Sequence, residues 1–508
     1  MKNRVSGSHK LEQADPVYTD EAECRSLSQQ LRHLAPALES FLKFEQGDAL
    51  AAASTWKQEL GGRLPDSGIG VDKLVAQMAT HLVPNGSGIV KPGCSSWITT
   101  GAASAGVLAQ LCSSVASPQR FGLTAFNYLE ELSLDWMAEL FGLPVSMQGI
   151  YSSGGSVANL VALGAARQAA FESLGIDAAR DGVNRPCVVL ASEATHNTIN
   201  RAAAVLGMGR SSVQAVMTDK LGRMCINALR DALRSADDSG KLIVAIVATA
   251  GTTSTGAIDP LYEVADLARE FGVWLHVDGA YGLPGVLDQR VASLYQGLEL
   301  ADSVVVDPHK WMGAPVGIGA TFVRDAALLK RAFTQEAADY FEHSFNPNSP
   351  LSSMDNAGIP YSDYGVELSA PARGAVVWAL LREIGRAGLT RRICRHNSMA
   401  RRVAEHAIRE DALELLVPPT LSVCCFRYVG EGLSGRVDDL NELNRLIHRR
   451  LVLNGINMPS TTMVGNILAL RPCFIGARSE LKHADELVRE VLAVGQQLTK
   501  ERDCVKTL

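Results

Sequence analysis

The apolar positions of this chain change period as it is read from end to end. From Glu21 to about Thr80 they recur at helical spacing, interrupted at Gly61-Gly62 and at Pro65-Asp66-Ser67-Gly68, residue types that end helices through backbone freedom or a missing N–H. The polar first twenty-odd residues carry no such pattern and are expected to fray. A Gly/Pro/Ser-rich stretch from Pro84 to Ser96 predicts a loop leading into Trp97-Ile98-Thr99-Thr100-Gly101. Beyond it, helical patterns alternate with short β-rich runs at Cys187–Leu190, Ile243–Ala248, Val273–Val277 and Ser303–Val306. Continuous apolar strands separated by segments of helix length predict an α/β fold with a mainly parallel central sheet flanked by helices. Helical periodicity returns from Gly374 to about Arg409. A βαβ-like region follows, with strands at Leu421–Arg427 and Asn466–Arg471, a helix near Val437–Leu453 and a last helix from Ser479. The pattern divides the chain into a helical N-terminal segment (1–103), a large α/β domain (104–375) and a small α+β C-terminal domain (376–508).

Composition narrows the function. The chain has 508 residues, 47% of them hydrophobic, and at roughly 100–200 residues per domain it can build two to four domains. Its 48 basic and 54 acidic side chains sum to −6, which argues against a nucleic-acid groove. The densest cationic run, Arg391-Arg392, Arg395 and Arg401-Arg402, falls at helical spacing and reads as a solvated helix face. No apolar run approaches the roughly 18 residues needed to span a bilayer. The start Met1-Lys2-Asn3-Arg4 lacks the apolar stretch of a signal peptide, so a cytoplasmic protein without membrane contact is expected. Ten cysteines at irregular spacing, with no CxxC and no Cys/His cluster, predict reduced thiols and no metal site. Cys424-Cys425 lies in an apolar run and reads as strand core.

Four segments stand at predicted strand ends, where open α/β sheets place their ligands. Tyr151-Ser152-Ser153-Gly154-Gly155-Ser156 precedes a helix, whose free N–H groups welcome an anion; a plain Gly-rich turn is the alternative. His276-Val277-Asp278-Gly279-Ala280-Tyr281 puts an acid at the end of an apolar strand, where it needs a cationic or hydrogen-bonding partner or serves as a helix cap. Val304 to Trp311 places Lys310 after a buried-looking strand; a lysine held among apolar groups is a readier nucleophilic amine, whereas one that snorkels to the surface is not. Ser192 to His196 brings an imidazole to the same sheet edge. An anion nest, an imidazole, an acid and a lysine in that order are the parts a pyridoxal phosphate site requires.

With these residues in view, the chain resembles the pyridoxal-phosphate-dependent group II amino-acid decarboxylases, the family of the aromatic-amino-acid and glutamate decarboxylases, within fold type I. The resemblance runs from about residue 75 to 490 and rests on Asp278-Gly279-Ala280 and, more narrowly, on Asp307-Pro308-His309-Lys310-Trp311. Ser153-Gly154-Gly155-Ser156 with Asn159, Ala248 to Thr253, and Leu134-Asp135-Trp136 support it. It implies that Lys310 carries pyridoxal 5'-phosphate as a Schiff base, that Asp278 pairs with the ring nitrogen, and that His196 and Ala280 lie on opposite ring faces. It implies further that Thr253 bonds near the ring hydroxyl and that Gly155, Ser156 and His309 contact the phosphate. Asp307 stands where the family often has Asn and is given no phosphate contact; Arg373 matches a family arginine able to neutralise such acids.

The same resemblance implies a homodimer with shared active sites and a small-molecule amino-acid substrate. A Ser/Asn/Pro/Asp-rich segment, 334–364, reads as a mobile lid carrying Tyr340, the expected proton donor for simple decarboxylation over the partner's site. Trp97, Ile98, Thr99 and Thr100 are expected to line the substrate pocket. Leu123 to Glu130 replaces the family's Ser-Pro-x-x-Thr-Glu-Leu-Glu at the partner's site, and Arg120 either reads a distal carboxylate or is a surface arginine. The expected reaction turns an L-amino acid into an amine and CO₂. A lyase, aldehyde synthase or aminotransferase on the same scaffold, or a non-catalytic interaction protein, stays open at this point.

Overall fold

The computed structural model describes residues 20–44, 53–64, 66–117, 119–120, 124–334, 359–430 and 436–506. The first nineteen residues, most of the lid segment and Tyr340 lie outside them. The chain divides after Lys91 into two units. In the first, helices span Asp20–Phe41, Ala53–Leu60 and Val71–Gln77, and the last of these runs on through a wider turn, Met78–Leu82. Gln30 donates to Asp72 Oδ1 at 2.6 Å, tying the first helix to the third. The periodicity and the breaks read between Glu21 and Thr80 correspond to these helices.

The second unit opens on a two-residue strand, β1 (Cys94–Ser95). Its central sheet contains β2 (Gln148–Ser152), β3 (Cys187–Ser192), β4 (Val213–Val216), β5 (Leu242–Thr249), β6 (Trp274–Asp278), β7 (Ser303–Val306) and β8 (Gly319–Val323). The order is β2-β8-β7-β6-β5-β3-β4, parallel from β7 to β4, with β8 antiparallel to both its neighbours. Strands β3, β5, β6 and β7 were legible because a strand covered on both faces is apolar at nearly every position. β4 is a short edge strand and β8 a reversed one, and neither carried a run long enough to announce itself. Parallel pairing brings the carboxyl ends of β3, β5, β6 and β7 to one edge, and β2 runs the same way as β7, so the loops after Ser152, Ser192, Thr249, Asp278 and Val306 share that edge.

The C-terminal region adds β9 (Leu413–Val417), β10 (Cys425–Tyr428), β11 (Met458–Val464) and β12 (Ile467–Arg471) in the order β1-β11-β12-β10-β9. The expected loop at Pro84–Ser96 therefore contributes a strand, with Cys94 beside Met458 in parallel register. Two residues are too few for any periodicity to reveal. The helix Gly374–Arg409 has the expected bounds and is broken at Gly385, whose φ of 62° and ψ of 179° leave the helical region. Its first part packs on the central core through Val376, Val377 and Leu380. Its last turns pack with Phe426, Ile447 and Val491 in a second core, through Met399 and Val403.

This helix also holds the loop that carries Lys310. Trp311 stacks on Tyr281 with centroids 5.1 Å apart, and its Nε1 donates to His396 Nδ1 at 2.9 Å. An indole N–H can only donate, so His396 carries its proton on Nε2 and gives it to the Gly476 carbonyl at 2.9 Å. Arg392 Nη1 donates to the Met312 carbonyl at 2.9 Å. Burial pushes the His396 pKa from 6.5 down to about 3, with Arg395 and Arg392 acting the same way. Below about pH 6.5 the unfolded chain takes up a proton that the folded one refuses, so this contribution to stability is complete above pH 6.5 and is lost as pH falls toward 3. His396→Gln keeps an acceptor and a donor without titrating. The stability gap between wild type and this variant is expected to shrink on acidification from pH 6.5 to 4, by at most about 1.4 kcal/mol per pH unit, in denaturant melts. Parallel stability curves would show that His396 is not held neutral.

Candidate active site

The anion cradle forms where β2 turns into the helix Gly155–Glu172. Gly154 has φ 124°, and a Cβ there would come within 3.1 Å of the His309 ring, so both the conformation and the space call for glycine. A Cβ on Gly155 would stand 2.5 Å from Asp307 Oδ2, and one on Gly319 would stand 2.8 Å from Asp307 Oδ1. Ser156 is exposed in the first turn of the helix. His309 donates from Nδ1 to the Ile318 carbonyl at 2.6 Å, which orients its ring. Gly155, Ser156 and His309, expected at the phosphate, thus sit around one helix N-terminus.

Asp307, which the sequence left without a role, lies at the centre of that cradle. It is buried, its Oδ2 is 3.0 Å from Lys310 Nζ and 3.9 Å from His309 Nε2, and its Oδ1 has no hydrogen-bond partner. A buried carboxylate needs a counter-charge, and Lys310 is the one it has. Arg373 does not serve it: its guanidinium makes a two-pronged pair with Glu367 at 2.8 and 3.0 Å and donates from Nε to the Gly317 carbonyl.

At the end of β6, Asp278 accepts from Asn159 Nδ2 and from the Ala280 backbone N–H, both at 3.1 Å. Ala280 packs with Ala158, Ala162 and Val305 just beyond. His196 lies after β3 and is exposed on one side. Its pKa is lowered by desolvation; Asp278 opposes that shift, Lys310 reinforces it and Asp307 opposes it, so these four groups share one electrostatic environment. The structure therefore brings together Lys310, Asp278, His196, Ala280, His309 and Gly155. Thr253 is exposed in the loop after β5, with its carbonyl held by Arg471.

The expected substrate residues behave differently from one another. Trp97 is 62% exposed with φ 53°, Ile98 packs on the core, Thr99 is half-buried and Thr100 is buried against Gly101 and Gly476. Arg120 is not the surface arginine that the sequence left open. It is buried, donating to the carbonyls of Tyr151 (3.2 Å) and Glu367 (2.7 Å), and it stands 3.8 Å from Glu130. Glu130 is fully buried, and desolvation pushes its pKa to about 7 against the pull of Arg120. Arg120 Nε and both Glu130 carboxylate oxygens are buried without a hydrogen-bond partner among the described residues.

Arg471 escaped the sequence reading. Almost fully buried at the end of β12, it donates to the carbonyls of Trp97 (3.1 Å), Ser254 (3.3 Å) and Thr253, and to Ser460 Oγ (3.2 Å). One guanidinium thus holds together the segment at Trp97, the loop after β5 and the second sheet. An arginine closing the apolar strand Ile467–Leu470 was the signal for it.

These groups fit a phosphorylated pyridine aldehyde. Lys310 supplies the amine, Asp278 a carboxylate whose protein partners are neutral donors, and Gly154-Gly155 a close approach to a helix N-terminus. Comparison with known proteins agrees. Residues 55–429 match the family model described as the pyridoxal-dependent decarboxylase conserved domain. An aromatic-L-amino-acid decarboxylase of Bacillus atrophaeus is 30% identical over 377 residues, covering 74% of this chain and 75% of that protein. A 4-hydroxyphenylacetaldehyde synthase of Rhodiola rosea is 29% identical over 455 residues, covering 86% of this chain and 89% of that protein. In fold, Oryza sativa TDC, solved with PLP and tryptamine, superposes with a TM-score of 0.84 at 24% identity, covering 96% of this chain and 99% of that one. The chain belongs to the pyridoxal-dependent decarboxylase family, and its cofactor is pyridoxal 5'-phosphate.

Proposed function

We propose that this protein converts an L-amino acid into an amine and CO₂, acting as a homodimer. The observation that carries the reading is the convergence of Lys310, Asp278 and His196 at one sheet edge beside a helix N-terminus. When bound, pyridoxal phosphate supplies the ring that accepts the electron pair left behind as CO₂ departs. The protein's part is binding, orientation and proton management. Lys310 Nζ would be the amine that holds the cofactor's aldehyde carbon. Asp278 would hold a proton at the ring nitrogen. His196 would cover one ring face and Ala280 the other, fixing the orientation of the ring. Gly155, Ser156 and His309 receive the phosphate, and Thr253 bounds the ring-hydroxyl side. Tyr340, on the segment the sequence reads as a lid, returns a proton to the substrate's α-carbon.

Residues 104–375 form the cofactor domain in this reading, with 376–508 as the smaller domain and 1–103 as a dimerisation segment. Support for the dimer lies on the helix Ser104–Ala116, which leaves Val107, Leu108 and Val115 exposed, as are Tyr128 and Val316 elsewhere on the same unit. A second copy is the occupant we assign to that apolar surface. Trp97 to Thr100 wall the substrate side-chain pocket. A second reading, oxidative release of an aldehyde, is favoured by the similarity to the Rhodiola rosea synthase; Tyr340 stands against it.

Lys310→Ala is expected to abolish both turnover and the visible absorbance of the bound cofactor, and normal turnover would remove Lys310 from its role. Screening the proteinogenic and common non-protein amino acids for CO₂ and amine by mass spectrometry is expected to reveal one narrow substrate class. Aldehyde, ammonia and peroxide in place of amine would establish the second reading. Tyr340→Phe is expected to shift product from amine toward aldehyde, and an unchanged ratio would rule out Tyr340 as the proton donor. Leu108→Glu is expected to convert the dimer to monomer at micromolar concentration by light scattering, and an unaltered dimer would place the interface elsewhere.

A further inference from the structure

Asn159 is almost wholly buried in the second turn of the helix Gly155–Glu172, and both its amide nitrogen and its amide oxygen have partners. Nδ2 donates to Asp278 Oδ2 at 3.1 Å and to Thr198 Oγ1 at 3.3 Å. Oδ1 faces His276 Nε2 at 2.8 Å. The opposite amide orientation would set Oδ1 against the Asp278 carboxylate, so the assignment follows from charge.

Directions then propagate both ways. On the strand side, Trp274 Nε1 can only donate, and it donates to Ser303 Oγ at 2.9 Å. The Ser303 hydroxyl donates in turn to His276 Nδ1 at 2.9 Å, and His276 Nε2–H donates to Asn159 Oδ1. Trp274, His276 and Asp278 alternate along β6 and so share one face of it. Burial holds His276 well below its ordinary pKa, so it is a neutral link with one fixed tautomer. On the loop side, the Thr198 hydroxyl accepts from Asn159 and donates to His196 Nδ1 at 3.1 Å, and the Thr198 backbone N–H points to the same nitrogen at 3.3 Å. His196 Nδ1 is thus an acceptor, which leaves the proton of the neutral ring on Nε2.

We propose that Asn159 is a positioning residue that sets, from one buried amide, both the orientation of Asp278 and the tautomer of His196, and so couples the group at the cofactor's ring nitrogen to the group on its face. The proposal rests on the cofactor roles given above to Asp278 and His196. Its physical content is that Asp278 receives only neutral donors, so its charge is left for the ring nitrogen. His196, meanwhile, carries an N–H rather than a lone pair at Nε2.

The test uses the full-length holoenzyme and two readouts, the dissociation constant for pyridoxal phosphate and the position and intensity of its visible band at fixed pH. Asn159→Ala leaves Asp278 and His276 each short of a partner, and is expected to raise the dissociation constant at least about tenfold and to alter the band. Thr321→Val is the control, because it removes another buried hydrogen bond on the same helix, to the Ala158 carbonyl at 2.9 Å, outside the relay. It is expected to lower the melting temperature and leave both readouts at wild-type values. If Asn159→Ala matches wild type in both, or if Thr321→Val moves both as far, the proposal is overturned. Should Asn159→Ala not fold, Ser303→Ala decides: it removes the donor to His276 and is expected to move both readouts in the same direction by a smaller factor, and no movement overturns the relay. A wild type that shows neither binding nor a band would instead overturn the cofactor roles on which the proposal stands.

Discussion

Removing a carboxylate from water without a partner is expensive, and the cofactor edge of this protein is arranged around two of them that are satisfied in opposite ways. Asp278 is met by a side-chain amide and a backbone N–H. Asp307 is met by the Lys310 ammonium, with one oxygen left unpartnered. Neutral donors stabilise a charge without cancelling it, so Asp278 keeps its attraction for a cation such as a protonated ring nitrogen. A lysine cancels charge, so Asp307 and Lys310 form a closed pair until the amine is drawn away. The two strand ends therefore differ in electrostatic availability although each offers an aspartate.

The sheet makes this arrangement possible, since parallel strands deliver their carboxyl ends to a common edge. It does not fix the loops, which are held from the other side. The Gly374–Arg409 helix reaches the loop after β7 through His396 and Arg392, and Arg471 secures the loop after β5 together with the segment at Trp97. In each case a long polar side chain on one element takes backbone carbonyls, or the Trp311 indole, on another. This lets two separately packed apolar cores act on one site.

Residues whose surroundings are uniform were the ones legible in the sequence. β7 has the bounds read from its apolar run, because a strand buried on both faces writes its length into composition. Lys310, Asp278 and Gly155 were singled out from their positions at strand and helix ends, and His309 from the family resemblance. The burial of Arg120 was not legible because its partner, Glu130, lies in another element and neither sequence neighbourhood marks the pair as buried. Asp307 was noticed but not placed, since its counter-charge three residues on was already assigned to the cofactor. Asn159 and His276 looked like motif filler and strand interior; the alternation Trp274, His276, Asp278 along β6 was the available clue, masked by the apolar residues between them. Arg471 serves backbone carbonyls, and only its place at the close of an apolar strand hinted at it, whereas Arg373 is taken up chiefly by Glu367.

The pairing of β1 with β11, and the bonds from Arg471 to Trp97 and Thr253, have a consequence for how the protein is made. The segment at Trp97 is translated before the strand that anchors it, and 374 positions before the arginine that ties it to the loop after β5. Contacts so distant along the chain must wait for their late partners. The central sheet has all its strands once β8 has emerged, while the segment at Trp97 gains its anchors only after β11 and β12 have followed. A nascent chain stalled before β11 holds every strand of the central sheet with the segment at Trp97 still unanchored.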